Sequence, residues 1–336
     1  MTGDDDTVLR VRDLCVDIPV PSGTLHAVRN VDLSAFRGRT LAIVGESGCG
    51  KTMTALAVMR LLPGRATLRA REIGLLDTDL RSVSDKAFSA IRGNRMAMIF
   101  QDPMTSLNPV YTIGDQLEEI YLRHRGSGRR EARERAEYLL GRVGIVNPGA
   151  RLGQFPHQLS GGLRQRAMIA MALMCDPALI VADEPTTALD VTVQAQVLHL
   201  LKDLQAEFDM ALILITHDLG IVARIADRIA VMYAGRIVET GSSRQIFTAP
   251  THPYTQGLID CIPYPGKTER RTALGSIPGI VPSLIGDAPG CLFRNRCALA
   301  EERCRDGGNL ERPVEDGHTY RCIHPVERLR GAAVPS

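Results

Sequence analysis

Gly45-Glu46-Ser47-Gly48-Cys49-Gly50-Lys51-Thr52 constrains this chain more than any other stretch, because it fits G-x-x-x-x-G-K-[ST] in the strand-to-helix setting that pattern requires. The apolar run Thr40–Gly45 leads into it, and a helical pattern from Lys51 to about Leu62, closed by Pro63-Gly64, leads out. Glycines let such a loop turn successive backbone N–H groups inward at a helix start, where the dipole adds to their attraction for phosphate. Lys51 supplies a compact positive charge for the β and γ oxygens of a nucleoside triphosphate, and the Thr52 hydroxyl a ligand for Mg2+. Only four of the forty basic residues are lysines (Lys51, Lys86, Lys202, Lys267), yet the loop carries one of them. A planar guanidinium would serve poorly there, since its fork suits bidentate pairing rather than a point contact. Cys49 reads as a small loop residue, with a redox-sensitive thiol as the alternative.

Three further apolar runs have strand length: Met96–Phe100, Ala178–Ala182 and Ala211–Thr216. Unbroken apolarity of this kind marks strands covered on both faces of a mostly parallel sheet. The first forty residues instead alternate, in TVLRVRDLCVDI and TLHAVRNVDLSAF, around a turn at Pro19–Gly23, the pattern of an antiparallel hairpin. Strand signals stop between Asp102 and His157, where an Arg-rich helical segment presents Tyr138, Leu139, Leu140 and Val143 as its apolar side. Its arginines read as a solvated helix face, the alternative being contact with a partner or anionic lipid. A second hairpin is expected at Ala234-Gly235, and composition shifts at about Ser242. Beyond it Pro250, Pro253, Pro263, Pro265, Pro278, Pro282 and Pro289 interrupt any long helix. The expected architecture is α/β: a P-loop ATPase core with a mostly parallel sheet, an antiparallel β subdomain, a helical insertion and a loop-rich, Cys-containing C-terminal extension. Residues 1–245 would form the nucleotide-binding domain, with a helical subdomain at about 102–165, and 246–336 the extension.

A phosphate loop needs a carboxylate near the metal and a group to activate water, and LIVADEP offers both. Asp183 and Glu184 end a buried apolar run, and successive side chains of an extended segment point to opposite sides. Asp183 would sit in the outer sphere of Mg2+ while Glu184 takes the proton of the attacking water. An isolated Asp-Glu pair is usually a surface pair; its place after an apolar run downstream of the loop is what gives this one a role.

Leu159–Arg166, LSGGLRQR, resembles the signature motif of ATP-binding-cassette ATPases. Gln101 at the end of MAMIFQ, TTALD (Thr186–Asp190) and His217 in ITHD follow in that family's order. Ser160, Gly161 and Gly162 at a helix start would form a second anion site for the γ-phosphate. The resemblance implies head-to-tail dimerisation, the signature of one cassette closing on the phosphate loop of the other. It also implies that Gln101 senses the metal and γ-phosphate and couples to a membrane partner, that His217 contacts the γ-phosphate and that Asp190 lines the dimer interface. The family's adenine-stacking aromatic is missing: Cys15-Val16-Asp17-Ile18-Pro19 offers only the apolar Ile18.

Pro250-Thr251-His252-Pro253-Tyr254-Thr255, GCLFRNRCALAEERC and Cys322, together with QDPMTSLNP (Gln101–Pro109), resemble dipeptide and oligopeptide permease ATPases over nearly the whole chain. Such importers pair two ATPases, a heterodimer by this resemblance, with two membrane permease subunits and an extracytoplasmic peptide-binding protein. The ATPase is a peripheral protein on the cytoplasmic face of the cell (inner) membrane. Dipeptides, oligopeptides and nickel complexes are all cargoes of this class. Cys291-x5-Cys297-x6-Cys304-x17-Cys322 places four thiols within 32 residues, with Arg294, Arg296, Arg303, Arg305 and Arg321 among them to offset anionic charge. Four thiolates are the ligand set of a [4Fe–4S] cluster. Zn2+ takes the same set, usually with tighter C-x2–4-C pairs, and plain thiols are the third reading. His318 and His324 are substitutes for one cysteine. With either metal, the ion or cluster staples the tail rather than performing redox chemistry.

Composition excludes other classes. Lys+Arg 40 against Asp+Glu 38 leaves a net charge of +2, and aromatics are 4% with no Trp, so neither phosphate attraction nor base stacking supports a nonspecific nucleic-acid binder. No apolar run approaches a membrane span, the longest lying near Ala167–Cys175. MTGDDDTVLR lacks the features of a secretory signal, which predicts a cytosolic chain. DNA-repair ATPases share the signature motif but carry far longer insertions than the 59 residues from Gln101 to Ser160. An iron–sulfur assembly ATPase is the remaining non-transport alternative.

Overall fold

Burial without a break along Thr40–Val44, Leu179–Asp183 and Ala211–Thr216 matches their sequence, and each is a strand covered on both faces. A computed structural model describes residues 6–126, 128–187, 190–262, 276–282, 284–286, 289–306, 310–326 and 329. Pro263, Pro265, Lys267 and the Ala188-Leu189 step of TTALD lie outside the described residues.

In chain order the elements begin β1 (Thr7–Val20), β2 (Gly23–Phe36), β3 (Thr40–Val44), α1 (Lys51–Val58), β4 (Thr67–Arg69), β5 (Glu72–Leu75) and β6 (Thr78–Asp79). Next come α2 (Asp85–Ile91), β7 (Met96–Ile99), α3 (Pro103–Ser106), α4 (Ile113–Arg125), α5 (Arg129–Arg142), α6 (Pro148–Leu152) and α7 (Gly161–Ala172). β8 (Leu179–Asp183), α8 (Val191–Phe208), β9 (Ala211–Thr216), α9 (Leu219–Ile225), β10 (Arg228–Tyr233) and β11 (Arg236–Ser242) follow. The chain finishes with α10 (Ser243–Thr248), α11 (Pro253–Asp260), α12 (Arg303–Asp306), β12 (Glu311–Glu315) and β13 (His318–Arg321). Two compact units emerge. The first comprises Met1–Leu9, Ala35–Thr40 and Gly74–Ile215; the second Arg10–Ser34, Leu41–Ile73 and Thr216–Ser336.

In the first unit β7, β8 and β9 run parallel, Met96 opposite Leu179 and Leu179 opposite Ala211. The expected helical insertion is α3 to α6. α4 starts at a capping box in which Thr112 and Asp115 satisfy each other's backbone N–H. α5 buries Ala132, Ala136, Leu139 and Leu140, each leucine contributing about 1.5–3 kcal/mol by removal from water. Tyr138 departs from the expected apolar side. It is exposed, its ring lies under the Arg135 guanidinium, and its hydroxyl donates to Glu207 at 3.1 Å. Arg142 pairs with Glu207, Arg135 with Asp176, and Arg133 with Glu118, so carboxylates of the same unit take up much of the arginine face.

The second unit holds the β1–β2 hairpin, whose turn is shorter than expected because β1 runs through Pro19 and leaves only Pro21-Ser22. β3 and β10 pair in parallel, and beyond β10 the strands β11, β13 and β12 continue in antiparallel pairs, so the sheet is mixed. Ala234 and Gly235 turn β10 into β11 with φ of 47° and 80°, as a tight hairpin requires. α1 ends at Val58 rather than near Leu62: Arg60 adopts φ 48° and the Leu61 N–H closes back on the Leu56 carbonyl, a Schellman stop.

The tail is less loop-like than its prolines imply. β13 docks on β11 with His318 and Tyr320 inward. The fully buried Glu239 carboxylate of β11 accepts the Thr251 and His252 N–H groups at 2.7 and 2.8 Å and lies 2.8 Å from His318 Nε2. Hydrogen-bonding a buried carboxyl group this fully is what makes its burial tolerable. No helix among the described residues is long and apolar enough to cross a membrane.

Candidate nucleotide-binding site

The Gly45–Thr52 loop leaves β3 and enters α1 as the sequence requires, with Gly50 as N-cap at φ 106°. Gly45 and Gly50 are fixed by close approach. A side chain on Gly45 would come 2.1 Å from the Met232 carbonyl oxygen, and one on Gly50 would come 2.5 Å from that of Ala27. Lys51 is buried, and its Nζ donates to the Gly45 and Glu46 carbonyls at 2.8 and 3.0 Å, which holds the ammonium against the loop's own backbone. Thr52 faces solvent at the second position of the helix, and Ser47 and Gly48 lie at the tip. Cys49 is fully buried and burial pushes its thiol up, so the small-residue reading fits and the reactive-thiol reading loses its chemistry.

In the first unit Asp183 ends β8 almost completely buried, while Glu184 lies just beyond the strand with φ 44°. The left-handed backbone, not strand alternation, separates the two carboxylates, and it is a strained conformation of the kind kept at functional positions. Glu184 is brought together with Gln101: Gln101 Nε2 donates to Glu184 Oε2 at 3.2 Å, and Thr187 Oγ1 donates to the same oxygen at 2.8 Å. Thr187 was not singled out in the sequence, although its place three residues after a carboxylate was a usable signal.

Ser160 caps α7, its hydroxyl accepting the Leu163 N–H at 3.4 Å, and Gly161 and Gly162 form the exposed and half-exposed first residues of that helix. Asp190 caps α8 by accepting from the Val193 N–H at 3.0 Å. His217 is exposed directly after β9, between Thr216 and Asp218, whose N–H donates to Thr216 Oγ1 at 3.1 Å. Ile18 is half-buried in β1, and next to it Asp17 pairs with His26 and Arg69 at 2.6 and 2.7 Å.

Cys291, Cys297, Cys304 and Cys322 line one cavity of the second unit, with His252, Phe293, Arg294 and His324. None forms a disulfide. Burial pushes the Cys291 and Cys322 thiols up and Cys297 to about 11. Among the described residues no three such side chains close to metal-holding distance. The expected ligands therefore line a shared cavity without closing into a coordination sphere, and Cys304 Sγ accepts the Glu301 N–H at 3.5 Å. The expected counter-charge is reduced as well. Arg294 lines the cavity, but Arg296 pairs with Glu46, Arg303 with Glu301, Arg305 with Glu302 and Arg321 with Glu311. His324 is at the cavity; His318 is committed to Glu239 instead.

Residues 28–187 match the ABC transporter family, and residues 238–304 match the family described as the C-terminal region of oligopeptide/dipeptide transporters. The chain is 48% identical over 334 residues to the dipeptide transport ATP-binding protein DppD of Bacillus subtilis (strain 168), covering 98% of each. It is 46% identical over 320 residues to the DppD of Escherichia coli (strain K12), covering 95% of this chain and 97% of that protein. Among solved structures it resembles the ATP-binding cassette MJ0796 in a dimeric post-hydrolysis state bound to ADP and Pi, with a TM-score of 0.63 and 26% identity over 70% of this chain and 99% of that one.

Proposed function

Because the chain belongs to the ATP-binding subunits of ABC dipeptide and oligopeptide transporters and is the ATPase that energises import there, we propose how its residues divide the work. The loop Gly45–Thr52 cradles the triphosphate, with Lys51 neutralising the β and γ oxygens. Thr52, Asp183 and Gln101 would hold Mg2+, which when bound would offset the charge that develops on the transferred phosphoryl group. Glu184 accepts a proton from water as the water oxygen bonds to the γ-phosphorus and the bond to the β-γ bridging oxygen breaks. His217 contacts the γ-phosphate. Ser160, Gly161 and Gly162 of a second cassette grip that phosphate from the other side, with Asp190 along the shared interface, so ATP holds the pair closed and hydrolysis releases it. The hydrogen bond between Gln101 and Glu184 carries this reading, since it joins the residue assigned to sensing with the one assigned to water activation.

The cargo under this proposal is a dipeptide or oligopeptide, delivered by an extracytoplasmic binding protein and passed through two permease subunits, with this chain peripheral on the cytoplasmic face. Residues 1–245 act as the cassette and 246–336 as an appendage. The donor set of that appendage, four unpaired thiols on one cavity with an arginine beside them, supports a [4Fe–4S] cluster at Cys291, Cys297, Cys304 and Cys322. Bound there, the cluster supplies cross-linking of a short segment, its binding energy adding to folding energy. Zn2+ is the competing occupant. Coexpression with permease subunits tests the transport reading: the chain should copurify with them and hydrolyse ATP faster when loaded binding protein is added. ATPase activity indifferent to any membrane protein would favour a non-transport cassette ATPase.

A further inference from the structure

Glu46 lies inside the phosphate loop, and each of its polar groups is occupied. Its N–H donates to Tyr254 Oη at 2.9 Å, its carbonyl accepts from Lys51 Nζ at 3.0 Å, and its carboxylate takes Arg296 Nη1 and Nη2 at 2.6 and 2.9 Å. Two of these three side chains come from beyond residue 245, at sequence separations of 208 and 250, and the Glu46 carbonyl also accepts the Cys49 N–H at 3.3 Å. Arg296 is itself held on every side. Its side chain is 4% exposed, Nε donates to the Pro278 carbonyl at 2.8 Å, Nη2 donates to that of Ile277 at 3.1 Å, and the guanidinium lies 5.8 Å from the Tyr233 ring. Phe293, which lines the thiol cavity, packs edge-on against Tyr233 and Tyr254, so one aromatic cluster supports both contacts to Glu46.

A plain ion pair that only joins two segments is the competing explanation. It fits poorly, because burying a guanidinium is costly and a well-packed apolar contact would join them as well. What the pair adds is orientation. A bidentate fork fixes the plane of the Glu46 carboxylate, and the same residue presents the carbonyl against which the Lys51 ammonium rests. Displacing Glu46 displaces that carbonyl and the loop N–H groups that follow it.

We infer that Arg296, acting through Glu46, is a positioning residue for nucleotide binding: the C-terminal appendage sets the shape of the phosphate loop that receives MgATP. The inference rests on Gly45–Thr52 being the ATP loop, and it holds whatever occupies the thiol cavity.

The test is equilibrium binding of MgATP to the full-length purified chain, paired with its melting temperature and with the split of KM and kcat in the assembled transporter. Arg296→Ala and Glu46→Gln should each raise Kd and KM about tenfold, as loss of preorganised geometry does, while kcat at saturating ATP stays within about threefold. Arg296→Lys, which keeps the charge but not the fork, should fall between wild type and Arg296→Ala. If Arg296→Ala unfolds the appendage, Glu46→Gln decides the matter, since the glutamine carbonyl still accepts one Arg296 N–H and its melting temperature shows directly whether the fold stands. A lowered melting temperature with unchanged Kd in the folded variants would overturn the inference and leave the loop assignment intact. Failure of the wild type to bind MgATP would overturn both.

Discussion

Gln101 and Glu184 meet across 83 residues of sequence, the amide of one donating to the carboxylate of the other at 3.2 Å. A Thr187 hydroxyl on the same oxygen fixes the rotamer. The Gln101 amide and the Thr187 hydroxyl thus share one oxygen of the Glu184 carboxylate.

Glu184→Gln should retain MgATP binding and lose about 10²–10³-fold in turnover, the range expected for removal of a positioned general base. The variant should accumulate as a nucleotide-bound dimer, visible by light scattering. Phosphate release at the wild-type rate would rule out Glu184 as the base.

Replacing Gln101 with Ala removes one of the two donors on that oxygen. We expect kcat to fall about tenfold with KM little changed, because the interaction matters most when water is being aligned. A rise in KM alone would assign Gln101 to binding.

Lys51→Ala should weaken MgATP binding by at least about 10²-fold, since a buried ammonium makes charge-assisted contacts to phosphate that no neighbour replaces. Circular dichroism should show the fold retained. Retained nucleotide affinity would mean that the loop is not the phosphate site.

Cys297→Ser should abolish iron and acid-labile sulfide, along with visible absorbance, in anaerobically purified protein if the thiol cavity holds a cluster. A colourless wild type carrying stoichiometric zinc would establish the competing ion. Metal-free wild type would leave four structural thiols.

Asp17 gives a pH-dependent signature. Burial pushes its carboxyl up, but hydrogen bonds from Arg69 and His26 outweigh this and hold it below the ordinary carboxylate range. A carboxyl lowered in the folded state stabilises above its unfolded pKa, and that contribution vanishes as pH falls through the folded value. Asp17→Asn should therefore cost about 1 kcal/mol near neutrality and nothing at the acid end. Urea midpoints measured from pH 3 to 7 would show wild type and variant converging on acidification; parallel curves would refute the assignment.

Much of the candidate site's local geometry was legible because it is set by adjacent residues. Gly45–Thr52, the β8 strand running into Asp183 and Glu184, and the helix start at Ser160 are each written in a few adjacent residues whose spacing reflects backbone geometry. The grip of Tyr254 and Arg296 on Glu46 was not legible, since no periodicity links residues that meet only after the tail folds back. Tyr138 was misplaced because a single aromatic in an apolar run reads as core, whereas its hydroxyl and a neighbouring guanidinium draw it outward. Prolines made the tail read as loop. They limit helix length but do not prevent short strands such as β12 and β13 from adding to an existing edge.

Glu239 sets an order of events during synthesis. Its strand, β11, leaves the ribosome well before His318 does, 79 residues later, and until then one partner of a fully buried carboxylate is missing and the β11 edge lies open. The last neighbour of the β11 edge, and with it the third polar contact to Glu239, is therefore supplied by a segment 79 residues further on, which makes the closing of this sheet edge dependent on the tail.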